Sequence, residues 1–463
     1  MRIAPTIIHD NALRTDWVAA LPPSSDVIIT GNPPFLGHST RNPLQAQDLR
    51  DVWGRNDIGR LDYVTGWYRK AIDYFRGVRG GRFAFVSTNS VTQGEPVSAL
   101  FRPLFDAGWR IRFAHRTFAW TSEASDAAAV YCVAIGFDKE STPPAVLFHY
   151  DDIHGGPRAE PVRHINAYLV DGPNVLIEKR GKPLSPDLPP LAFGNMPRDG
   201  GGKARDGGRL VVEPDEYDEV MADPAAAKYI RRYVGAQELV HNEPRWCLWL
   251  VDLDPADIVR SQNLKDRLRK VREFRSRSTA ESTREMAATP HLFGQRSQPD
   301  VNFICVPRVV SENRPYLTCD YFPPSVIASD ATFKGNDAEG FAFGIISSAM
   351  CITWQRTVGG RLKSDLRFSN TLVWNTLPLP SVTEQLRADI IAAGKGVLDA
   401  RALHPDQALA DQYNPLGMDS ALVKAHRALD KVVDKAFGAR RSINSEEQRQ
   451  GILFERYAEM TQE

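Results

Sequence analysis

Four residues near the start of the chain have the types and spacing for chemistry on an amine. They are Asn32-Pro33-Pro34-Phe35, directly after the run Asp26-Val27-Ile28-Ile29-Thr30-Gly31. An exocyclic amine such as adenine N6 is a poor nucleophile, because its lone pair is delocalised into the ring. Two hydrogen-bond acceptors set against its two N–H bonds would orient it. The Asn32 side-chain carbonyl can be one of them. The Pro33 backbone carbonyl can be the other, since proline keeps its acceptor while losing its donor. Pro34 restricts Pro33 to extended geometry, which aims that carbonyl in a fixed direction. The Phe35 ring can stack on the target base. Such catalysis works through orientation and preorganised dipoles and calls for no metal. The plainer alternative is a Pro-Pro turn that only ends a strand.

The elements that must hold this turn read as an α/β domain. Residues 26–30 form an apolar run, which predicts a buried parallel strand. Leu61, Val64, Tyr68, Ala71, Ile72 and Phe75 recur at helical spacing before Gly80-Gly81. Phe83 to Ser87 predicts a second buried strand, 97–107 a helix closed by Gly108, Trp109 to His115 a third strand, and Ala128 to Phe137 a fourth. This alternation predicts a mostly parallel sheet. Ser87-Thr88-Asn89-Ser90 ends the second strand on the edge where ligands sit in open α/β sheets. Those groups either line a base pocket or cap the next helix. Asp10, placed at a strand end before the Asn32 strand, could accept from an amine or ribose hydroxyl of a nucleoside cofactor. It could equally be a turn or capping residue.

The composition shifts near residue 150. Gly194 to Gly208 is a Gly/Arg/Asp-rich loop. Between 209 and 380, short apolar or aromatic runs alternate with turns: Trp246 to Val251, Val301 to Val306, Phe341 to Ile346 and Leu372 to Trp374. That pattern predicts a mixed α+β domain. Arg260 to Arg284 is basic and helical in pattern, with Lys265, Arg267, Arg269, Lys270, Arg272, Arg275 and Arg277. Such a helix could track phosphates, each cation adding a salt-dependent increment to affinity. It could also be a solvated face in which Asp266 and Glu273 supply intrahelical pairs. Gly359 to Thr371 carries Arg361, Lys363, Arg367 and Ser369, a set suited to phosphate positioning and base-edge reading, or to a surface turn. From Val382 onward the chain reads as helical, including Ala421 to Phe437 with Gly438 as a stop. The expected organisation is a catalytic segment over 1–180, a recognition segment over 181–380 and a helical segment over 381–463.

Composition narrows the classes. Lys+Arg and Asp+Glu are equal at 57 each in 463 residues, so any basic surface must be local. Cys132, Cys247, Cys305, Cys319 and Cys351 are scattered with no CxxC pair. That argues against a zinc site or disulfide framework and suits a reducing cytosol. No apolar run approaches a membrane span and no signal-peptide pattern opens the chain. The expectation is a soluble cytoplasmic protein that binds no membrane. P-loop, GxGxxG and HExxH motifs are absent, as is an acidic-acidic-Lys nuclease cluster. So is a Gly-rich strand–turn–helix that would bind S-adenosylmethionine.

Taken in order, the motifs resemble those of the MmeI-like DNA adenine-N6 methyltransferases of single-chain restriction–modification systems. Asn32-Pro33-Pro34-Phe35-Leu36-Gly37 is similar to the family's catalytic motif, Asn11 to Trp17 to the strand and turn before it, and Gly81 to Ser90 to the next core strand. Arg361 to Thr371, followed by Trp374-Asn375-Thr376 and Pro378-Leu379-Pro380, resembles the end of the target-recognition domain. Tyr413-Asn414-Pro415-Leu416 and the 421–437 helix resemble the C-terminal helical region. The resemblance implies a partial Rossmann-like class I methyltransferase sheet, then an α+β target-recognition domain and a helical region. It implies S-adenosylmethionine as methyl donor and a flipped-out adenine in duplex DNA as substrate. Asn32, Pro33, Pro34 and Phe35 would be catalytic, and Asp10, Asn11 and Asn32 would contact the cofactor. Lys265, Arg269, Arg272, Arg361, Lys363, Arg367 and Ser369 are the expected DNA contacts. The family's nuclease, the helical segment after it and the Gly-rich donor loop all precede the catalytic motif, and none is present here. Some methyltransferases place that loop last, but the C-terminal third has none. Without its usual neighbours the 26–30 strand would expose an apolar edge. The expectation is therefore that a second polypeptide or an upstream frame supplies the N-terminal complement. The alternative is an inactive DNA-binding or specificity fragment of such a system. A glutamine amide or RNA amine is a third substrate class, against which the large segment after residue 180 speaks.

Overall fold

The Asn32 turn leaves the end of a six-stranded mixed sheet. Its strands are β1 (Ile28–Gly31), β2 (Arg82–Thr88), β3 (Arg110–Trp120), β4 (Val130–Asp138), β5 (Ala145–His149) and β6 (Arg158–Val162), in the spatial order β1-β2-β4-β3-β5-β6. The computed structural model describes residues 5–58, 60–120, 130–140, 144–200, 209–362 and 364–461. The helices before and between these strands are α1 (Trp17–Ala20), α2 (Pro43–Trp53), α3 (Thr65–Tyr74) and α4 (Pro96–Asp106).

One face of the sheet carries the aromatic core. Tyr68 of α3 lies 5.1 Å from the Phe85 ring and 6.0 Å from Phe137, Phe83 stacks on Phe137 at 4.7 Å, and Phe101 of α4 closes on Phe137 at 6.3 Å. On the other face Phe113 lies against the backbone of Gly136. A Cβ at position 136 would sit 2.1 Å from its ring, so only glycine fits. Gly81 has φ +94 and brings the chain against the Phe75 ring. That turn starts β2 where α3 has ended.

Two sequence expectations change here. The sheet is not mostly parallel: β1–β2 and β3–β5 pair in parallel, whereas β4 inserts antiparallel between β2 and β3. Periodicity identifies strands but carries no strand order. The first strand is not buried. Among the described residues β1 pairs with β2 alone, and Ile28 is 62% exposed. An apolar run becomes a buried strand only when neighbours cover both its faces and its edge. The third strand runs on to Trp120, and Ala128 and Ala129 of the expected fourth lie outside the described residues. The expected 61–75 helix starts at Thr65, with Leu61 to Val64 as a buried turn in front of it.

The chain divides into two compact units. The first is Met1–Lys179 with Thr357–Arg361 and Ser445–Glu463, and the second is Arg180–Arg356 with Leu362–Asn444. The segment expected as one helical region from 381 therefore splits. Helices Glu384–Arg401 and Ser420–Ala436 belong to the second unit, and helix Glu446–Thr461 to the first.

The second unit holds two four-stranded sheets. One contains Ile230–Val234 and Trp246–Leu248, the other Phe303–Pro307 and Thr332–Asn336. Helix α5 (Gln262–Ser276) buries Leu264 and Val271 in a cluster with Val212, Leu248 and Phe293. The Phe341 to Ile346 run is a wholly buried helix, and Leu372 to Trp374 lies in the π-helical turn Asn370–Trp374. Buried Arg401 joins the C-terminal helices of this unit to its sheets. Its guanidinium donates to Tyr413 Oη at 2.8 and 2.6 Å and to the Cys319 carbonyl at 2.9 Å. Tyr413 Oη in turn meets His426 Nε2 at 2.7 Å. Burial, with Arg401 adding to it, pulls the His426 imidazole down to about 3. The imidazole is therefore neutral inside this network. Among the described residues no helix is long and apolar enough to cross a membrane, and no group of His, Cys, Asp or Glu is placed to hold a metal ion.

Candidate active site

Asn32 stands at the carboxyl end of β1, where the strand's last pair is Gly31 with Phe85. It is exposed, Pro33 is buried, Pro34 is exposed and Phe35 is half-buried. Among the described residues no hydrogen bond engages the Asn32 amide, so its carbonyl is available to an outside donor. Asn32, Pro33 and Pro34 line a cleft of about 600 Å³ together with Asp10, Trp67 and Phe85. Ile8, Leu21 and Ile28 complete its apolar side.

The turn is anchored from behind by a residue that the sequence reading missed. Asp62, almost fully buried, accepts from the Leu36 backbone N–H at 3.1 Å and from Val64 N at 3.3 Å. Its other oxygen accepts from Thr88 Oγ1 at 3.1 Å. Tyr63 N donates to the Leu36 carbonyl at 3.0 Å. Leu36, one residue after the motif, is thus held through both of its backbone groups. The same carboxylate ties it to the end of β2. Thr88 Oγ1 also lies 2.8 Å from Ser90 Oγ, and Ser87 Oγ is 2.7 Å from the buried Tyr68 hydroxyl. Of the polar groups ending β2, Ser87 and Thr88 therefore serve as internal braces. The local signal for Asp62 was its place just before a helix start, where a carboxylate accepts an early backbone N–H. Its longer-range partners could not be read locally.

Asp10 and Asn11 part company. Asp10 is exposed at the cleft, with Asn11 N donating to its Oδ1 at 2.6 Å. Residues 5–9 form no strand, so Asp10 does not stand at a strand end. Asn11 turns inward. Its Nδ2 donates to Asp48 Oδ2 at 2.9 Å, and its Oδ1 accepts from Leu13 N at 3.0 Å. Arg14 and the Tyr63 hydroxyl converge on the same Asp48 carboxylate at 2.8 and 3.2 Å. The amide is thereby spent on fixing the 10–14 turn, and Asn11 is not among the residues lining the cleft. Burial pushes the Tyr63 phenol up, which keeps it a neutral donor to Asp48. Lys70 extends the brace by donating to the Thr15 carbonyl at 2.7 Å, and burial holds its ammonium below the usual lysine range.

The expected DNA contacts sort by environment. Lys265 and Arg272 are exposed on α5, and Lys265 donates to the Val259 carbonyl at 2.8 Å. Arg269 bridges Glu273 at 3.1 Å and Asp266 at 3.3 Å, the intrahelical pairing weighed as its alternative role. Arg267 and Arg275 are buried, which removes them from any phosphate track. Arg367 is exposed on the strand Asp365–Arg367, opposite Val309. The Ser369 hydroxyl accepts from Leu372 N at 3.2 Å as a helix cap. Arg361 is half-buried, and Lys363 lies outside the described residues.

Comparison with known proteins gives matches along almost the whole chain. The model of the MmeI DNA-methyltransferase domain matches residues 1–149. The model of the MmeI target recognition domain matches 171–381, and that of the MmeI C-terminal domain matches 382–463. "DNA methyltransferase A" of Bacillus subtilis (strain 168) is 35% identical over 456 residues, which covers 98% of this chain and 50% of that protein. The solved structure of the type IIL restriction-modification enzyme MmeI in complex with DNA is 41% identical with a TM-score of 0.80. That match covers 99% of this chain and 60% of the other. The chain thus spans about half the length of the curated relative it matches.

Proposed function

We propose that this chain, which belongs to the MmeI family, is the base-gripping and sequence-recognising portion of a DNA methyltransferase that modifies adenine N6. The observation that carries the reading is the Asn32 turn. An exposed amide carbonyl and a fixed prolyl carbonyl stand at the mouth of a cleft, with the chain behind them locked by Asp62. Duplex DNA is the partner, by analogy with the DNA-bound MmeI structure.

The residues would act as follows. An adenine turned out of the duplex enters beside Phe35, whose ring stacks on it. Asn32 Oδ1 and the Pro33 carbonyl accept from the two N6 hydrogens, which turns the nitrogen lone pair towards the cleft. The two acceptors are positioned before the base arrives, so little reorganisation accompanies the reaction. The cleft suits the nucleoside end of a donor: Trp67 and Phe85 give it aromatic walls, and the exposed Asp10 carboxylate can accept from a ribose hydroxyl or an amine. S-adenosylmethionine, when bound, supplies an electrophilic methyl group. The free edge of β1, with Ile8, Leu21 and Ile28 around it, suits a further polypeptide segment that adds a strand there and completes the donor site.

The test is transfer of a labelled methyl group from S-adenosylmethionine to unmethylated duplex DNA, followed by digestion to nucleosides. The chain is assayed alone and fused to the part of a relative that lies outside the matched region. Label in N6-methyladenine is the expected outcome. Label in cytosine would overturn the adenine assignment. The open edge of β1 also favours a second reading, a specificity fragment that binds DNA without transferring methyl groups. Salt-sensitive DNA binding with no donor binding in either form would establish that reading instead.

A further inference from the structure

Helix α5 presents two different basic flanks, and the structure separates them. With 3.6 residues per turn, Leu264, Arg267, Leu268, Val271 and Arg275 face the core. The carboxylates of Asp266 and Glu273 lie along the outermost line. Lys265, Arg269 and Arg272 fall on one side of that line, and Lys270, Phe274 and Arg277 on the other. On the first flank Arg269 bridges both carboxylates and Lys265 donates to a backbone carbonyl, while Arg272 is exposed, and no aromatic side chain of the helix lies on this side. On the second flank neither Lys270 nor Arg277 forms an ion pair within 4 Å among the described residues, although the Lys270 charge helps hold the Asp266 carboxyl below its usual range. Phe274 lies between them, 38% exposed. The Arg209 guanidinium sits 5.7 Å over its ring. The backbone of Gly200 also approaches that ring so closely that a Cβ there would lie 2.7 Å from it.

The core side of the helix keeps this flank in place. Arg275 donates to the carbonyls of Pro197 at 2.8 Å, Arg198 at 3.0 Å, Met286 and Thr289 at 2.9 Å, and Leu292 at 2.7 Å. Arg267 donates to the Arg209 carbonyl at 2.8 Å. The two buried arginines therefore fasten the backbone of Pro197 and Arg198 and that of Arg209 alongside the helix. Lys270 and Arg277, two helical turns apart with an exposed aromatic ring between them, match a nucleic-acid backbone. Phosphates take the charges and the ring covers the sugar or base edges.

We propose that the Lys270–Phe274–Arg277 flank, with Arg209 beside it, is the strip of α5 that meets duplex DNA, and that the Lys265–Arg269–Arg272 flank faces solvent. This rests on the reading of the chain as part of a DNA methyltransferase. The experiment measures the affinity of the full chain for a mixed-sequence duplex by fluorescence anisotropy, from about 50 to about 200 mM salt. K270Q/R277Q removes the two cations of the proposed strip. K265Q/R272Q removes two from the other flank, and F274A removes the ring. All five positions are at least partly open to solvent, and a thermal melt of each variant confirms the fold. Each lost phosphate contact flattens the plot of log affinity against log salt by about 0.9. K270Q/R277Q should therefore lower the slope by about 2 and K265Q/R272Q by less than about 0.5. F274A should weaken binding at every salt concentration while keeping the parent slope. An unchanged slope for K270Q/R277Q, or a greater loss from K265Q/R272Q, would overturn the assignment. A parent chain with no salt-dependent affinity for duplex DNA would overturn the functional reading itself, which is a distinguishable result.

Discussion

The second unit covers its apolar elements, while the first leaves one of them open. In the second unit the central strand Phe303–Pro307 is buried at every position, and Trp354 and Trp374 are enclosed. The fully buried Arg275 guanidinium at the end of α5 meets five carbonyls. In the first unit the strand bearing the candidate chemistry has a single partner among the described residues, and Ile28 on it is more than half exposed. A recognition module can be closed on itself, because DNA approaches its outer surface. A methyl-transfer site must accommodate a base on one side and a donor on the other, so its walls need not all come from one stretch of chain.

The contrast can be broken by substitution, and the largest effect is expected in the closed unit. Arg275→Leu removes the donor shared by five part-buried carbonyls. Leaving hydrogen-bond acceptors without a donor costs about 1–3 kcal/mol each where water does not replace it, so the melting transition of that unit should fall by roughly 10 °C. Calorimetry would read it, and a shift of only a degree or two would mean that solvent reaches those carbonyls. The smallest effect is expected at the open edge. Ile28→Lys should change stability by no more than about 0.5 kcal/mol, as for other surface positions, and denaturant unfolding followed by tryptophan fluorescence would show it. A loss comparable to that of Arg275→Leu would show that the edge is covered in solution, and the contrast between the units would disappear. The two-flank experiment on α5 sharpens the same comparison within the closed unit, by separating the side of a helix that stabilises from the side that binds.

What could be read from the sequence follows the range of the interactions. The Asn32 turn is legible as a candidate because the residue types that suggest it are four in a row. The α5 helix was legible from its pattern, and its phase already separates the two flanks. The sequence reading places DNA contacts at Lys265, Arg269 and Arg272, and the proposal above places them on the opposite flank. The partners that hold the helix in place, the carbonyls of Pro197, Arg198, Arg209, Met286, Thr289 and Leu292, are distant in sequence from Arg267 and Arg275 or lie beyond the helix end. Asp62 was missed for the same reason, since Leu36 and Thr88 are 26 residues away on either side. The exposure of β1 differed from its apolar composition because burial belongs to a strand's neighbours. The antiparallel insertion of β4 was beyond reach because hydrophobic periodicity does not encode strand order.

The most direct test of the central claim is methyl transfer to duplex DNA by the completed enzyme with Asn32→Ala against the parent. Asn32 is exposed and its side chain makes no hydrogen bond among the described residues, so the variant should fold and bind DNA as the parent does. Loss of one preorganised dipole at the reacting amine predicts a fall in the transfer rate of at least about a hundredfold. A variant that transfers methyl groups at the parental rate would contradict the account, because the amine would then be oriented by groups other than this turn.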